Sequence, residues 1–192
     1  NSAEKICIFA DYDVDGATSS ALLANIFRQI NVDADIYVPD RITEGYGPTT
    51  HAMQKIHKSG ASLLITVDCG SVAFEALDAA AGLGMDVIVI DHHISLDQLP
   101  KAVAVVNPNR LDETSEFKNL AAVGVSFLFA VALITHLKET GYFQEKNIAP
   151  LNLIEQLDIV ALGTVCDVMQ LTGLNRAFVS QGLKVAKARG NL

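Results

Sequence analysis

No tryptophan occurs in this chain, and prolines number only five, too few to suggest a low-complexity or disordered segment. Cysteine is equally sparse: Cys7, Cys69 and Cys166, an odd number with no C-x-x-C spacing. That argues against a disulfide framework and a zinc ribbon, fits a reducing cytoplasm, and reads the three thiols as small buried residues rather than ligands. No apolar run approaches the ~18–20 residues that cross a bilayer, so no membrane association is expected. Neither is a signal peptide expected at the start. Internal repeats are lacking. Positive charge is in deficit, with 14 Lys and Arg against 22 Asp and Glu and a net charge of −8. A broad basic face for nucleic acid is therefore disfavoured, although two bound divalent cations would return four positive charges locally.

What is present is apolar and ordered. Half of the 192 residues are hydrophobic, enough for one ample domain or a domain with a small appendage. Asn1 in place of Met, and a strand beginning almost at once, read as a fragment of a longer protein. Short β-branched runs at 5–10, 34–38, 61–67, 85–90 and 102–106 lack alternation, as strands buried on both faces do. Between them lie helical patterns at 16–30, 48–58 and 71–82; Leu22, Leu23, Ile26, Phe27 and Ile30 carry the first. The expected fold is α/β, a parallel sheet of about five strands flanked by helices. From residue 116 onward the chain reads as helical, with segments 120–140, 150–162 and 174–188 and Pro150 in the first turn of its helix. The expected division is a parallel core over 1–115 and a helical portion over 116–192 completing the same domain.

The first strand ends in Asp11-Tyr12-Asp13-Val14-Asp15-Gly16. On an extended backbone alternate residues share a side, which would crowd three carboxylates together and call for multivalent cations. An EF-hand is excluded: its twelfth position is Leu22, and a strand rather than a helix precedes it.

Two further strands end in metal-capable residues, Asp68-Cys69-Gly70 and Asp91-His92-His93. Ligands of open parallel sheets bind beyond the carboxyl ends of the strands. Of two adjacent histidines, one imidazole can take a metal while the other holds or protonates a phosphate oxygen, with Asp91 orienting a ring. Asp167 is an isolated acid in an apolar stretch and joins the candidate ligands. In the loop Val38–Pro48, Arg41 can fork onto a phosphate and Gly45 and Gly47 permit close backbone approach. Asn107-Pro108-Asn109-Arg110 follows the last strand and is expected to reach the crevice.

In this order the motifs resemble the DHH phosphoesterase superfamily: Asp11-Tyr12-Asp13-Val14-Asp15-Gly16, Asp68-Cys69-Gly70, Asp91-His92-His93 and Gly163-Thr164-Val165-Cys166-Asp167. Arg41-x-x-Glu44-Gly45-Tyr46-Gly47, Asn107-Pro108-Asn109 and Val123-Gly124-Val125 narrow the resemblance to the RecJ branch, 5′-to-3′ exonucleases of single-stranded DNA in repair and recombination. The resemblance implies a Rossmann-like domain with two divalent ions, Mn2+ or Mg2+. By motif position Asp13 serves one metal and Asp15 the other, Asp68 bridges them, His92 and Asp167 complete the second site, and His93 contacts the scissile phosphate. Several branches have a histidine where Phe9 stands; Asp11 is its expected replacement or a supporting group. Arg41, Gly45, Asn107 and His93 are the implied substrate contacts. A single-strand-binding protein and a helicase are the implied companions, and a further DHH-associated domain is implied outside these 192 residues.

Overall fold

The computed structural model describes residues 4–189. Five parallel strands form one sheet in the order β2-β1-β3-β4-β5: β1 (Ile6–Ala10), β2 (Ala34–Tyr37), β3 (Leu63–Val67), β4 (Asp86–Ile90) and β5 (Ala104–Val106). The α/β parallel sheet is thus as expected, each strand starting one or two residues later than its apolar run except β2. The order reverses at β1, so the crevice beyond its carboxyl end lies at a topological switch point.

Burial on both faces follows from the period of two along each strand. Ile6, Ile8 and Ala10 of β1 join one apolar core, with Ile65, Val67 and Ile90 from the neighbouring strands. Cys7 and Phe9 join the opposite core, with Leu64, Val87 and Val89. The first core is covered by α1 (Val14–Gln29), α4 (Ala122–Glu139), α6 (Leu157–Cys166) and α7 (Gly173–Arg189). The second is covered by α2 (Thr50–Lys58) and α3 (Phe74–Gly82). The short α5 (Tyr142–Lys146) follows α4. Helices from the carboxyl-terminal portion therefore share a core with the sheet.

Three expectations are corrected here. Pro150 does not open a helix: a 3-10 turn begins at Leu153 and α6 at Leu157. Cys166 is exposed, while Cys7 and Cys69 are buried as expected. One helix, Ala122–Glu139, is long and apolar enough to span a membrane by length and composition alone. No uninterrupted run revealed it because Gly124, Ser126 and Thr135 punctuate it. Here Val123, Phe127, Ala130 and Ile134 are buried in the sheet-covering core.

Glycine at position 16 is set by packing. A Cβ there would lie 2.3 Å from the carbonyl oxygen of Asp11, a backbone atom with little freedom to retreat. Gly16→Ala is expected to cost about 1–3 kcal/mol or more, read as a lowered urea midpoint with an unchanged slope.

Candidate metal centre

Each acid of the first motif has a different local setting. The extended backbone ends at Ala10, and α1 begins at Val14. Asp13 is the N-cap, its Oδ1 accepting from the Gly16 N–H at 3.0 Å. Asp15 sits in the first helical turn. The strand-alternation reason for clustering the three is therefore corrected: a loop and a helix turn spread them over two groups.

Asp15 is 1% exposed and makes a long-range cap. Its Oδ2 and Oδ1 accept from the Ala122 and Val123 N–H groups at 2.6 and 2.9 Å. The start of α4, which has no side-chain cap of its own, is thus held by a carboxylate from α1. This explains the Val123-Gly124-Val125 motif as part of the site's frame.

Asp68 follows β3 in the left-handed region, φ 60°, and is 2% exposed. His92 follows β4. Its Nε2 lies 3.3 Å from Asp68 Oδ1, 3.8 Å from Asp15 Oδ2 and 3.7 Å from Asp167 Oδ2. Asp167 closes the ring from the C-cap of α6, an end whose dipole disfavours a carboxylate. The next residue, Val168, has φ 57°, a costly conformation for a β-branched side chain.

Among the described residues, ligand-capable atoms within 4.8 Å of one another form three groups: Asp11, Asp13 and Asp68; Asp15, His92 and Asp167; and Asp68, His92 and His93. Asp68 or His92 belongs to each, so the groups are contiguous. No cysteine joins them.

The protonation energetics agree with a site short of positive charge. Burial, aggravated by Asp15 and Asp13, pushes Asp68 up to about 8 despite the nearby His92 ring. Burial also raises Asp15 to about 6, against the pull of the Val123 and Ala122 amides. Asp11 and Asp167 are raised, again chiefly by burial. Asp68 Oδ1 and Asp167 Oδ2 are buried without a hydrogen-bond partner, although His92 Nε2 lies 3.3 and 3.7 Å from them. Hard oxygen donors, one imidazole and unsatisfied buried carboxylate oxygens fit a small divalent cation.

His93 differs from its neighbour. Its Nδ1 donates to Asp91 Oδ1 at 2.8 Å, and Asp91 is buried. That bond raises His93 to about 9. Burial alone would raise Asp91, but the His93 ring and the Ser71 and His93 amides hold it at about 2. His93 is thus a half-exposed cation at neutral pH beside the acidic groups.

Arg41 sits with its guanidinium carbon 5.1 Å from the Tyr12 ring centroid, and Tyr12 lies between Asp11 and Asp13 in sequence. Tyr46 meets Tyr12 edge-to-face at 6.2 Å. Gly45 and Gly47 both have positive φ, 85° and 73°, in an open turn. Asn107 is not brought into the crevice. It is 3% exposed, and both amide hydrogens are spent on Ser71 Oγ and the His93 carbonyl. Tyr12 and Ser71 were not among the expected contributors, whereas Asn109 was, as part of the Asn107-Pro108-Asn109 segment.

Residues 5–164 match the family model described as DHH family, N-terminal domain. The chain belongs to the DHH family. Over 185 residues it is 43% identical to the single-stranded-DNA-specific exonuclease RecJ of Escherichia coli strain K12, covering 96% of this chain and 32% of that protein. A crystal structure of exonuclease RecJ bound to manganese superposes with a TM-score of 0.78 at 32% identity, covering 95% of this chain and 43% of the other. RecJ of Thermus thermophilus in complex with Mn2+ gives 0.72 at 30% identity, covering 95% and 24%. This DHH-family chain spans about a third of the length of the E. coli relative. The family match ends just before Asp167, whereas the E. coli RecJ alignment covers nearly the whole chain.

Proposed function

We propose that the protein is a two-metal phosphodiester hydrolase, an exonuclease that releases 5′-mononucleotides from the 5′ end of single-stranded DNA during repair and recombination. One observation carries this reading: two acidic ligand groups, Asp11/Asp13/Asp68 and Asp15/His92/Asp167, meet where Asp68 and His92 lie 3.3 Å apart. The 43% identity to a single-stranded-DNA-specific exonuclease supports the substrate class, and the likeness to manganese-bound RecJ supports the metal. Residues 1–115 and 116–192 act here as one catalytic unit, of which 1–3 and 190–192 lie outside the described part.

When bound, two divalent cations, manganese or magnesium, neutralise the phosphate and acidify the attacking water. Asp13 would hold one and Asp15 the other, with Asp68 within reach of both sets and His92 and Asp167 completing the second. Asp11 supports the first set, since the neighbouring Phe9 is fully buried and offers no ligand. His93, kept protonated by Asp91, donates its Nε2–H to a phosphoryl oxygen as negative charge builds there. Arg41, braced on Tyr12, forks onto the strand's phosphate. The open turn at Gly45 and Gly47 lets the strand's backbone approach. A single-strand-binding protein and a helicase are proposed companions in supplying single strands.

A manganese-soaked crystal tests the centre: two metal peaks about 3.5–4 Å apart beside Asp68 are expected. Asp13→Ala should remove nearly all nucleotide release from 5′-phosphorylated single strands. Turnover of pyrophosphate or cyclic dinucleotides in preference to those strands would reassign the substrate, and full activity of Asp13→Ala would refute the metal chemistry.

A further inference from the structure

The side chains of His92 and His93 serve the proposed centre, yet their backbone belongs to a loop between β4 and β5 with no regular ladder to fix it. The bonds that replace the ladder come from three side chains. Asp91 Oδ1 accepts from the His92 and His93 N–H groups at 2.8 and 3.2 Å. Asn109 Nδ2 donates to the His92 carbonyl at 2.5 Å and Asn107 Nδ2 to the His93 carbonyl at 2.8 Å. Every backbone polar group of the two histidines is thereby held.

The two asparagines are themselves fixed. Asn107 Oδ1 accepts from the Asn109 N–H at 2.7 Å, so the turn around Pro108 is closed on itself. The second amide hydrogen of Asn109 goes to the Lys118 carbonyl at 3.0 Å, ahead of α4. That of Asn107 goes to Ser71 Oγ at 2.7 Å, and the Ser71 N–H donates to Asp91 Oδ2 at 3.0 Å. The loop bearing Asp68 and the loop bearing the histidines are thus bonded through Ser71 and Asn107. Carboxamides suit this task because they donate to carbonyls without adding charge to a site whose carboxylates already repel.

We infer that Asn107 and Asn109 are positioning residues, which hold the His92–His93 peptide so that His92 Nε2 faces Asp15, Asp68 and Asp167. The inference rests on the metal-centre reading above and goes beyond it. Asn107 holds the His93 carbonyl and Asn109 the His92 carbonyl.

Calorimetric titration of the full-length protein with Mn2+ tests this, alongside amide hydrogen exchange of the metal-free protein. Asn109→Ala and Asn107→Ala are expected to weaken one of the two Mn2+ binding steps about 10–100-fold, the step served by His92, and to leave the other in place. They should also speed exchange at the His92 and His93 amides. Asn109→Asp, which keeps the shape but turns a donor into an acceptor facing a carbonyl, should lose at least as much. Equal weakening of both steps in proportion to a lowered unfolding midpoint would reduce the asparagines to general stabilisers and overturn the inference. So would unchanged exchange at both histidines. A wild-type protein that binds two Mn2+ but cleaves no DNA would refute the nuclease reading while leaving the affinity comparison decisive. If it binds none, the exchange rates alone decide.

Discussion

Asp68→Asn is expected to lower hydrolysis by about 10³-fold or more while raising the thermal midpoint of the metal-free protein at pH 8. Both effects have one cause. Asp68 belongs to the first ligand group and lies 3.3 Å from His92 of the second, and it is 2% exposed among Asp13, Asp15 and His92. Without cations its charge is opposed by burial and by like charges, which push its carboxyl up to about 8. Asparagine has the same shape, tolerates the positive φ that Asp68 adopts, and carries no charge to be opposed. Stability should therefore be gained where function is lost. At pH 5 the gain should be smaller, and it should vanish only below about pH 3.8, where Asp68 is protonated in the unfolded chain as well. Paired melting curves at pH 5 and pH 8, with turnover of a 5′-phosphorylated strand, check this. An active Asp68→Asn protein, or one that melts lower at pH 8, would contradict the role given to Asp68.

The wild-type protein should show the same physics as a pH dependence that Mn2+ reverses. Asp68 and Asp15 titrate near 8 and 6 in the folded state and near 3.8 when unfolded. Between about pH 4 and 8 the folded state therefore holds protons that the unfolded chain releases, and stability falls as pH rises. His93 adds to this slope above about pH 6.5. His93 titrates near 9, so its stabilisation is complete below 6.5 and is lost as pH climbs through 9. Asp91, held at about 2, contributes above 3.8 and loses its effect only as pH falls through 2. The metal-free protein is thus expected to melt highest at about pH 4–5. Mn2+ replaces those protons, so its stabilising effect should grow toward pH 8. At 100 times its dissociation constant, one bound ion adds about 2.7 kcal/mol, or about 5–10 °C for a chain of this size. Differential scanning calorimetry with and without Mn2+ across pH 4–9 measures it. A midpoint indifferent to both pH and Mn2+ would mean that these carboxylates do not form a cation site.

Much of the architecture was legible because the signals are local. Five unalternating β-branched runs separated by helical periods leave little besides a parallel sheet covered on both faces. The first core residues of α1, Leu22, Leu23, Ile26 and Phe27, could be named from spacing alone and are buried. The convergence of Asp68 and His92 on one crevice was legible too, since parallel strands deliver their carboxyl ends to one edge. Other readings failed where the deciding atoms lie far away in sequence. Asp15 looked like the third tooth of an extended comb, yet it sits in a helix turn beside His92 and also caps α4 across 107 residues. Asn107 looked like a residue of the open crevice, yet it is consumed by Ser71 and the His93 carbonyl. Pro150 looked like a helix start, yet the helix waits until after a 3-10 turn.

What the residues alone determined was the kind of chemistry available: which acids and imidazoles exist, and that strand periodicity brings several of them to one edge of a sheet. Motif order implied that Asp15 goes with His92 and Asp167, but only tertiary structure supplied the contacts: the α4 amides on Asp15, Asp91 on the half-exposed His93, and the burial of His92 among three carboxylates. The reason is that backbone preference is written within a few residues, whereas a carboxylate's partner is fixed by how distant helices and loops pack around it.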